Sequence, residues 1–566
     1  MTEHLIFITY IYIFLFSTIG HGILFSKIFN TSFLEKNVGY LGIIGFFSLS
    51  IYSILSSFFV AHNQPHNFVI HIIGLISFIF FYLKEKHELK QIKYLFILSL
   101  VLIIGSYVFK NHDDFPYYHL TYSLNLSENS FIIGTGIFSH GFRTFSSLFY
   151  YHSLLYMPFI NFYLFHIGPF FILIFFNFIV IKKIFKDISS KNTDFIFYFS
   201  LLSLIFVDVV FYRIGEHGTD RSAQILLLLI FIIFFELIIK KKNSKNTLNK
   251  LNLLLLLIFL ASSMKAIYYL YLLIILIIFF NKRLLFNYFN NLKIFLIFVF
   301  FLSFSLNLLT YYLNTGCYLY PAKFTCIGNP IWQIPLDEVE KMKIHYEWWA
   351  KAGGGPGYMS EIPKEKYVEN FVWLSNWVER HFFNKVSDTL LGIIFICVIL
   401  ITLLMIYSKN IGKQKDKFAA YIYFIPLFFL FEWFLNHPAM RYGGYVLFAI
   451  PLFMLVSSYA SKFKISSEKI YRISVFLIII SIIVFNLRNV IRINKENIVY
   501  GYDIVKSPFF FVEQTFSETI YQDNDFKVYS TRSGKACWAS KTPCSYNKKI
   551  KSDNFLWMKV VLRDVK

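Results

Sequence analysis

A run of histidine and aspartate residues, His112-Asp113-Asp114, directly follows an apolar stretch and has the residue types for proton transfer. Carboxylates at a membrane boundary cost desolvation energy, so they usually have a partner or a task. Adjacent carboxylates repel each other, and one of them can have a raised pKa suited to general-base chemistry. We therefore predict that Asp113 or Asp114 is catalytic and deprotonates an attacking hydroxyl. The alternative is a cap at the start of a helix.

Several other polar segments between apolar stretches have the chemistry to bind an anionic substrate. Between Arg213 and Arg221, arginines are expected to hold a phosphate bidentately while Glu216 or Asp220 orients them. Arg441 is the only lysine or arginine in its loop, where glycines permit close backbone approach. The predicted substrate-binding residues are His112, His119, His140, Arg143, Arg213, Glu216, His217, Asp220, Arg221, Lys265, His437 and Arg441. The alternatives are internal ion pairs in a solvated loop and cations that extend to the membrane interface.

The composition indicates which kind of protein must position these residues. Of 566 residues, 57% are hydrophobic, 21% are aromatic and only 15% are charged. A soluble protein would have about a quarter of its residues charged. The net charge of +21 comes largely from lysines in short loops, which is typical of membrane orientation and of attraction to anionic lipid. We expect a lipid bilayer as partner and no nucleic acid.

Length and hydropathy predict an all-α polytopic membrane protein with about fourteen transmembrane helices. The predicted spans lie near 4–27, 39–61, 67–83, 94–110, 168–181, 194–211, 223–240, 251–266, 267–281, 293–313, 389–408, 417–435, 444–461 and 473–487. The apolar run 251–280 is interrupted at 262–265, which favours two short helices over one long one. Residues 1–487 form the predicted transmembrane domain. Residues 488–566 form a small soluble tail with a short strand near Phe526 to Ser530.

The distribution of lysine predicts which side of the membrane carries the site. Lysine-rich loops alternate with loops in which Arg213, Arg221, Lys265 and Arg441 are the only basic residues. Because short translocated loops resist positive charge, the second kind is expected to face outward. The larger outer segments are 111–168 and 314–388, and both termini are expected outside. The prediction is a multi-pass protein of the plasma (inner) membrane with its active face periplasmic or extracellular.

Four of the five cysteines form two close pairs in polar segments expected to lie outside. Disulfides persist in oxidising compartments, so we predict the bridges Cys317–Cys326 and Cys537–Cys544. Free thiols are the alternative, and the spacing does not favour a zinc site. No cofactor is expected to be required, although the two aspartates leave a divalent metal possible.

This layout resembles the C-fold (GT-C) glycosyltransferases, which have many spans, an acidic motif in an early outer loop and further outer loops with isolated arginines. The resemblance implies that Asp113 or Asp114 serves as base and that Arg441, Arg213 or Arg221 binds the carrier phosphate. Here the acidic motif follows about the fourth span rather than the first. The chain is also similar to uncharacterised bacterial envelope proteins with an Asp-Tyr-His-type motif, as at 114–119, and a Phe-Arg-x-x-Ser-Ser segment, as at 142–147.

The resemblance predicts an integral membrane glycosyltransferase that moves a sugar from a polyprenyl-phosphate-linked donor to a glycan or lipid acceptor of the cell envelope. It would act in polysaccharide or lipopolysaccharide biosynthesis. A polysaccharide polymerase or ligase is one alternative. A glycan transporter or flippase is another, although the ionisable residues lie at helix ends and no internal repeat is evident.

Overall fold

The structure is a computed structural model of the chain, and it describes residues 2–29, 37–84, 89–216, 218–239, 245–279, 294–354, 361–408, 421–523, 526–532 and 536–564. Most of these residues are helical, because a helix satisfies its own backbone hydrogen bonds where water is absent. The helices up to the predicted break are α1 (Thr2–Ile28), α2 (Val38–Ser57), α3 (Gln64–Lys84), α4 (Leu89–Leu102), α5 (Leu120–Glu128), α6 (Ser147–Ser153), α7 (Gly168–Ser189), α8 (Phe195–Val210), α9 (Gly218–Ile239) and α10 (Lys245–Met264). The later helices are α11 (Leu273–Phe279), α12 (Ile294–Thr315), α13 (Leu336–Lys351), α14 (Lys364–Val368), α15 (Leu374–Trp377), α16 (Ser387–Tyr407), α17 (Tyr421–Asn436), α18 (Gly444–Ala460) and α19 (Ser467–Tyr500).

Within the described residues, nine helices are long and apolar enough to cross a membrane. They are α1, α2, Gln64–Phe81 of α3, α7, α9, Thr247–Met264 of α10, Leu296–Thr315 of α12, the continuous run Leu374–Tyr407, and α19. Four shorter apolar helices accompany them: α8, Ala266–Ile278, Ile422–Asn436 and α18. The expected mainly helical fold, with several helices long and apolar enough to span a membrane, is confirmed, whereas the number of fourteen spans stays a prediction.

Small residues let the first helices cross at close range. Gly20 of α1 lies against the backbone of Gly74 in α3, and Gly45 of α2 lies against the carbonyl of Thr18 in α1, so a Cβ at either glycine would collide with backbone. Close backbone approach at small residues is a common way for membrane helices to associate, since lipid supplies no hydrophobic drive between them. The crossing fixes α1, α2 and α3 as one unit.

The predicted interruption of the apolar run 251–280 is confirmed at Lys265. Helix α10 ends at Met264, Lys265 is extended with φ −156°, and a 3₁₀-helix, Ala266–Leu272, follows. Ser263 beside the break is hydrogen-bonded to Ser147 at the start of α6 (Oγ–Oγ 2.7 Å). The break therefore presents a lysine at a helix end next to the polar segment 111–168.

Helix α19 continues past the predicted domain boundary at residue 488 and ends at Tyr500. Its polar last part is stabilised by the ion pair Arg492–Glu496 at 3.0 Å, with i,i+4 spacing, and Gly501 caps the helix end with φ +71°. The hydropathy of the sequence falls several residues before the helix ends. The sequence therefore predicts the end of the apolar run and not the end of the helix.

The tail after α19 contains two antiparallel hairpins, so the chain is not entirely helical. Strands β1 (Ser517–Asp523) and β2 (Phe526–Thr531) pair, as do β3 (Ile550–Phe555) and β4 (Met558–Arg563). Strand β2 confirms the strand expected near Phe526. The tail folds back on the outer segment: Val560 pairs with Ile133, and the Trp538 N–H donates to the Pro116 carbonyl at 3.0 Å. This contact holds the segment that carries Asp114.

Both predicted disulfides, Cys317–Cys326 and Cys537–Cys544, are present. Cys397 is a free, buried cysteine inside α16. Alkylation of the denatured protein without reductant should therefore modify one cysteine of the five, and all five after reduction. Mass spectrometry of the intact chain provides the count, and Cys397→Ser should remove the single label. Five labels without reductant would contradict the bridges.

Candidate functional site

Four charged side chains from separate chain segments meet at one end of the helices and form what we call the charged cluster: Asp114, Asp220, Lys265 and Arg441. Arg441 Nη2 lies 3.3 Å from Asp114 Oδ2. Arg441 Nε lies 3.2 Å from Asp220 Oδ2 as an ion pair, although this N–H is not aligned for a hydrogen bond. Lys265 Nζ contacts the other oxygen of Asp220. The cluster thus alternates cation and anion.

Each member reaches the cluster because a helix begins or ends there. Asp220 stands in the first turn of α9, where the helix dipole favours a negative charge. Lys265 occupies the break after α10, and its Nζ lies 4.3 Å from the Tyr442 ring centre as a cation–π contact. One turn along α9 from Asp220, Gln224 Nε2 donates to the carbonyl oxygen of Arg441 at 3.2 Å.

The loop that carries Arg441 is held by tryptophans and a glycine. Trp377 Nε1 donates to the carbonyl of Pro438 at 2.6 Å, and Trp433 Nε1 donates to that of Ala439 at 3.1 Å. Gly443 has φ +107°, a conformation that favours glycine, and it leads directly into α18. Trp377 thus fixes the loop that carries Arg441.

The groups around Asp114 keep its carboxylate ionised. Burial raises the pKa of Asp114, but contact with His112 and the charge of Arg441 outweigh burial and hold this pKa well below its usual range. His112 Nδ1 lies 3.3 Å from Asp114 Oδ2. Asp113 differs: its side chain is 90% exposed and lies 3.7 Å from Lys110. The two carboxylates have different partners, so their expected mutual repulsion does not set the pKa of Asp114.

A cavity of about 360 Å³ opens beside the cluster, and we call it the first cavity. It is lined by His112, Arg213, Asp220, Arg221, Gln224, Gly353, Gly354, His381, Lys385, Met440, Arg441 and Tyr445. Four of these side chains are cationic and only Asp220 is a carboxylate. Arg221 Nη1 is buried without a hydrogen-bond partner, and Arg221 forms no ion pair with any carboxylate of the described residues. Such a lining favours an anionic ligand.

Some lining residues were not predicted from sequence. Gly354 has φ +73°, and a Cβ there would lie 3.4 Å from Arg441 Cδ, so the glycine run places backbone directly against the arginine. Gln224 is four residues after Asp220, and Lys385 is four after His381, the spacing that puts two side chains on one helix face. The spacing from Asp220 is therefore the feature of the sequence that could have predicted Gln224 as a lining residue.

Arg213 lines the first cavity but is paired with Glu216. On the other side of Glu216, Arg492 Nη1 lies 3.8 Å from its Oε1. Arg213 and Glu216, both predicted to bind substrate, therefore form part of a wall in which charges alternate. His217, predicted with them, lies outside the described residues.

The structure does not bring the remaining predicted residues into the first cavity. Arg143 is buried and donates to Glu338 Oε1 at 2.6 Å, to the Tyr320 hydroxyl at 3.1 Å and to the Gly136 carbonyl at 2.8 Å, so its role here is to hold the outer segments together. His140 Nδ1 is 3.1 Å from the Tyr117 hydroxyl.

His119 and His437 are both neutral at ordinary pH. Burial lowers the pKa of each to about 4. The His119 ring packs on Phe149 with centroids 4.8 Å apart, and His437 Nε2 lies 3.9 Å from Glu432 Oε1. Among the described residues, no three His, Cys, Asp or Glu side chains are placed to hold a metal ion together.

A separate lysine network lies at the opposite end of α9. Glu236 contacts both Lys183 and Lys250 at 2.6 Å, and Lys183 also contacts Asp187 at 2.9 Å. Sixteen residues of helix separate Asp220 from Glu236, or about 24 Å at 1.5 Å per residue. The charged cluster and this network therefore occupy opposite ends of the helices, as the distribution of lysine predicts.

Replacing Asp220 should destabilise the protein, because Lys265 and Arg441 would lose their shared carboxylate in a partly buried site. We expect Asp220→Asn to cost about 3 kcal/mol, the lower end for a broken buried ion pair, because the side chains of both cations keep some contact with solvent. A maleimide dye that reports exposure of buried Cys397 on heating measures the effect as a lower midpoint. Asp337→Asn, at a 70%-exposed carboxylate 3.4 Å from Lys341, is the control. Equal midpoints for both variants would contradict the role of Asp220.

Comparison with known proteins gives a family and no activity. No curated protein and no solved structure matches the chain. A family model described as a domain of unknown function, DUF8201, matches residues 4–448, which include all four members of the charged cluster and end within α18. The chain belongs to the DUF8201 family.

Proposed function

We propose that this protein is an integral membrane glycosyltransferase that moves a sugar from a polyprenyl-phosphate-linked donor to a glycan or lipid acceptor of the cell envelope. The observation that supports this proposal is the first cavity, where an excess of cations adjoins the ionised carboxylate of Asp114. An anion site next to a general base is what transfer from a phosphate-linked donor requires. The resemblance to the C-fold glycosyltransferases points the same way.

The donor phosphate binds in the first cavity at Arg221 and Arg441. Arg221 is the strongest candidate, because its Nη1 is buried without a hydrogen-bond partner and no carboxylate of the described residues is in ion-pair contact with it. Arg441 already contacts two carboxylates, so a phosphate must share it with Asp114 and Asp220. Guanidinium groups bind phosphate oxygens bidentately, which orients the donor as well as attracting it.

In the transfer step, Asp114 acts as the general base. The acceptor hydroxyl oxygen forms a bond to the anomeric carbon, and the bond from that carbon to the phosphate oxygen breaks. Its electron pair stays on the departing polyprenyl phosphate, where Arg221 and Arg441 stabilise the charge. The hydroxyl proton goes to Asp114. When phosphate competes for Arg441, the carboxylate loses part of its counter-charge, so the pKa of Asp114 rises as the donor binds.

The site faces outward in this proposal, in a plasma-membrane protein with about fourteen spans. Support comes from the two ends of α9, one with the charged cluster and the other with the lysine network. Lysines concentrate on the cytoplasmic side of membrane proteins. An outward site is remote from cytosolic nucleotide sugars and suits a donor carried by a membrane lipid.

Asp114→Asn should abolish transfer by the purified protein from a polyprenyl-phosphate-linked sugar, with a loss of about 10²–10⁴ in rate, as for other general bases. Asp337→Asn is the control, because this carboxylate is exposed, pairs with Lys341 and lies outside the charged cluster. Chromatography of labelled product measures the rate. Wild-type activity in Asp114→Asn would remove the proposed base. Movement of the donor across vesicles without any transfer would favour the transporter alternative.

The side of the membrane on which the charged cluster lies can be tested with residues just beyond the two ends of α19. In a Cys397→Ser background, Lys506→Cys should react with a membrane-impermeant maleimide on intact cells, whereas Lys464→Cys should react only after permeabilisation. Both positions are exposed, so accessibility to the reagent does not differ for other reasons. The reverse labelling pattern would place the cluster on the cytoplasmic face and contradict an outward site.

A further inference from the structure

A second cavity, of about 560 Å³, adjoins the first and shares His112 and Arg213 with it. It lies between the segment 110–113, the loop between α8 and α9, and the last turns of α19. Its lining residues are Lys110, Asn111, His112, Asp113, Tyr212, Arg213, Glu216, Arg488, Ile491, Arg492, Lys495, Glu496, Val499 and Tyr500. The family match ends before α19. The side of the cavity that α19 forms therefore lies outside the matched region.

Cations exceed carboxylates in this lining by five to three. Arg492 is committed to Glu496 and Glu216, at 3.0 and 3.8 Å. By contrast, Arg488 and Lys495 form no ion pair with any carboxylate of the described residues. Arg488 lies over the Tyr212 ring at 4.0 Å and donates to the Val209 carbonyl at 2.6 Å, which holds its guanidinium at the cavity without neutralising it.

The second cavity also has an apolar part, which a site for a soluble anion does not need. Ile491 and Val499 line it and are 66% and 55% exposed. Helix α19 has 34 residues, or about 51 Å at 1.5 Å per residue, against about 30 Å for the hydrocarbon core of a bilayer. Its last turns therefore extend past the core to the headgroup level, where cations and exposed apolar side chains together suit an amphiphile.

We propose that the second cavity binds the phosphate-bearing headgroup of a second lipid, and that this lipid is the acceptor. The assignment as acceptor rests on the proposed transferase function. Arg488 and Lys495 bind the headgroup phosphate, while Ile491 and Val499 contact the start of the acyl chains. His112 faces both cavities and touches Asp114, so a headgroup hydroxyl at this shared wall lies beside the base and the donor site.

The test uses the purified full-length protein in nanodiscs of phosphatidylcholine, titrated with dihexanoyl phosphatidic acid, dihexanoyl phosphatidylcholine and inorganic phosphate. Phosphatidic acid should bind best, because it alone combines a phosphomonoester with short acyl chains. The double variant Arg488→Ala/Lys495→Ala should weaken its binding by about tenfold or more, since each cation near an anionic headgroup adds to affinity. Lys506→Ala removes an exposed cation that does not line the cavity, so it should leave binding unchanged.

The outcomes separate this inference from the proposed function. Arg221→Ala should weaken binding of a polyprenyl phosphate and leave phosphatidic acid binding intact, which supports two distinct sites. Inorganic phosphate binding as tightly as phosphatidic acid would overturn the lipid assignment. An equal loss in Lys506→Ala and in the double variant would reduce the effect to diffuse surface charge and overturn the site. Absence of transfer with normal phosphatidic acid binding would remove the transferase proposal and leave the lipid site standing.

Discussion

The bridge that Arg441 makes between Asp114 and Asp220 is the interaction on which the site depends. Each of these side chains comes from a different part of the chain, and none of the four cluster residues is fully exposed. An isolated charge at this depth would be costly, so the two carboxylates and the two cations stabilise one another only if all the helix ends meet. The charged cluster therefore ties the starts of α9 and α18 and the end of α10 to the segment after α4. The first cavity lies beside this junction, and it is lined by Asp220 and Arg441 of the cluster and by Arg221, which is not a member of the cluster.

The separation between the two cavities is itself electrostatic. Arg213, Glu216, Arg492 and Glu496 follow one another with alternating charge, and the Phe109 N–H donates to Glu496 at 3.2 Å. Such a row cancels most of its own charge. Arg221 on one side, and Arg488 and Lys495 on the other, form no ion pair with a carboxylate in the described part of the chain and can attract ligands. A wall of fixed ion pairs keeps two anions apart, and two anions in one continuous basic cleft would compete for the same cations. Under the proposed function, this arrangement suits a reaction between two anionic partners.

The sequence predicted the parts of this site that have a strong local signal. Asp114, Asp220, Lys265 and Arg441 are ionisable residues at the ends of apolar runs, where charge is costly and hence informative. The break at Lys265, the strand near Phe526 and both disulfides follow from equally local patterns. Arg143 has the same local appearance as Arg441, but its partners Tyr320 and Glu338 are about two hundred residues away, and only the fold decides that it binds them. Gly354 and Lys385 were missed for the same reason, since nothing near them in sequence indicates that they face Arg441. Hydropathy likewise marked the apolar end of α19 and not its last helical turn.

In the proposed reaction, the pKa of Asp114 links donor binding to proton transfer. In the free protein, His112 and Arg441 outweigh burial and keep this carboxylate a weak base. If a donor phosphate binds Arg441, it weakens the attraction between Arg441 and Asp114. Burial still favours the protonated form of Asp114, so its pKa would rise. The carboxylate then becomes a better proton acceptor only when a donor is in place. Under the proposed function, such a site would deprotonate an acceptor hydroxyl when the donor is bound and would leave water largely unactivated without it, which would protect the lipid-linked sugar from hydrolysis. In the proposed reaction, the ion pair between Arg441 and Asp114 would therefore both hold these chain segments together and make proton acceptance depend on donor binding.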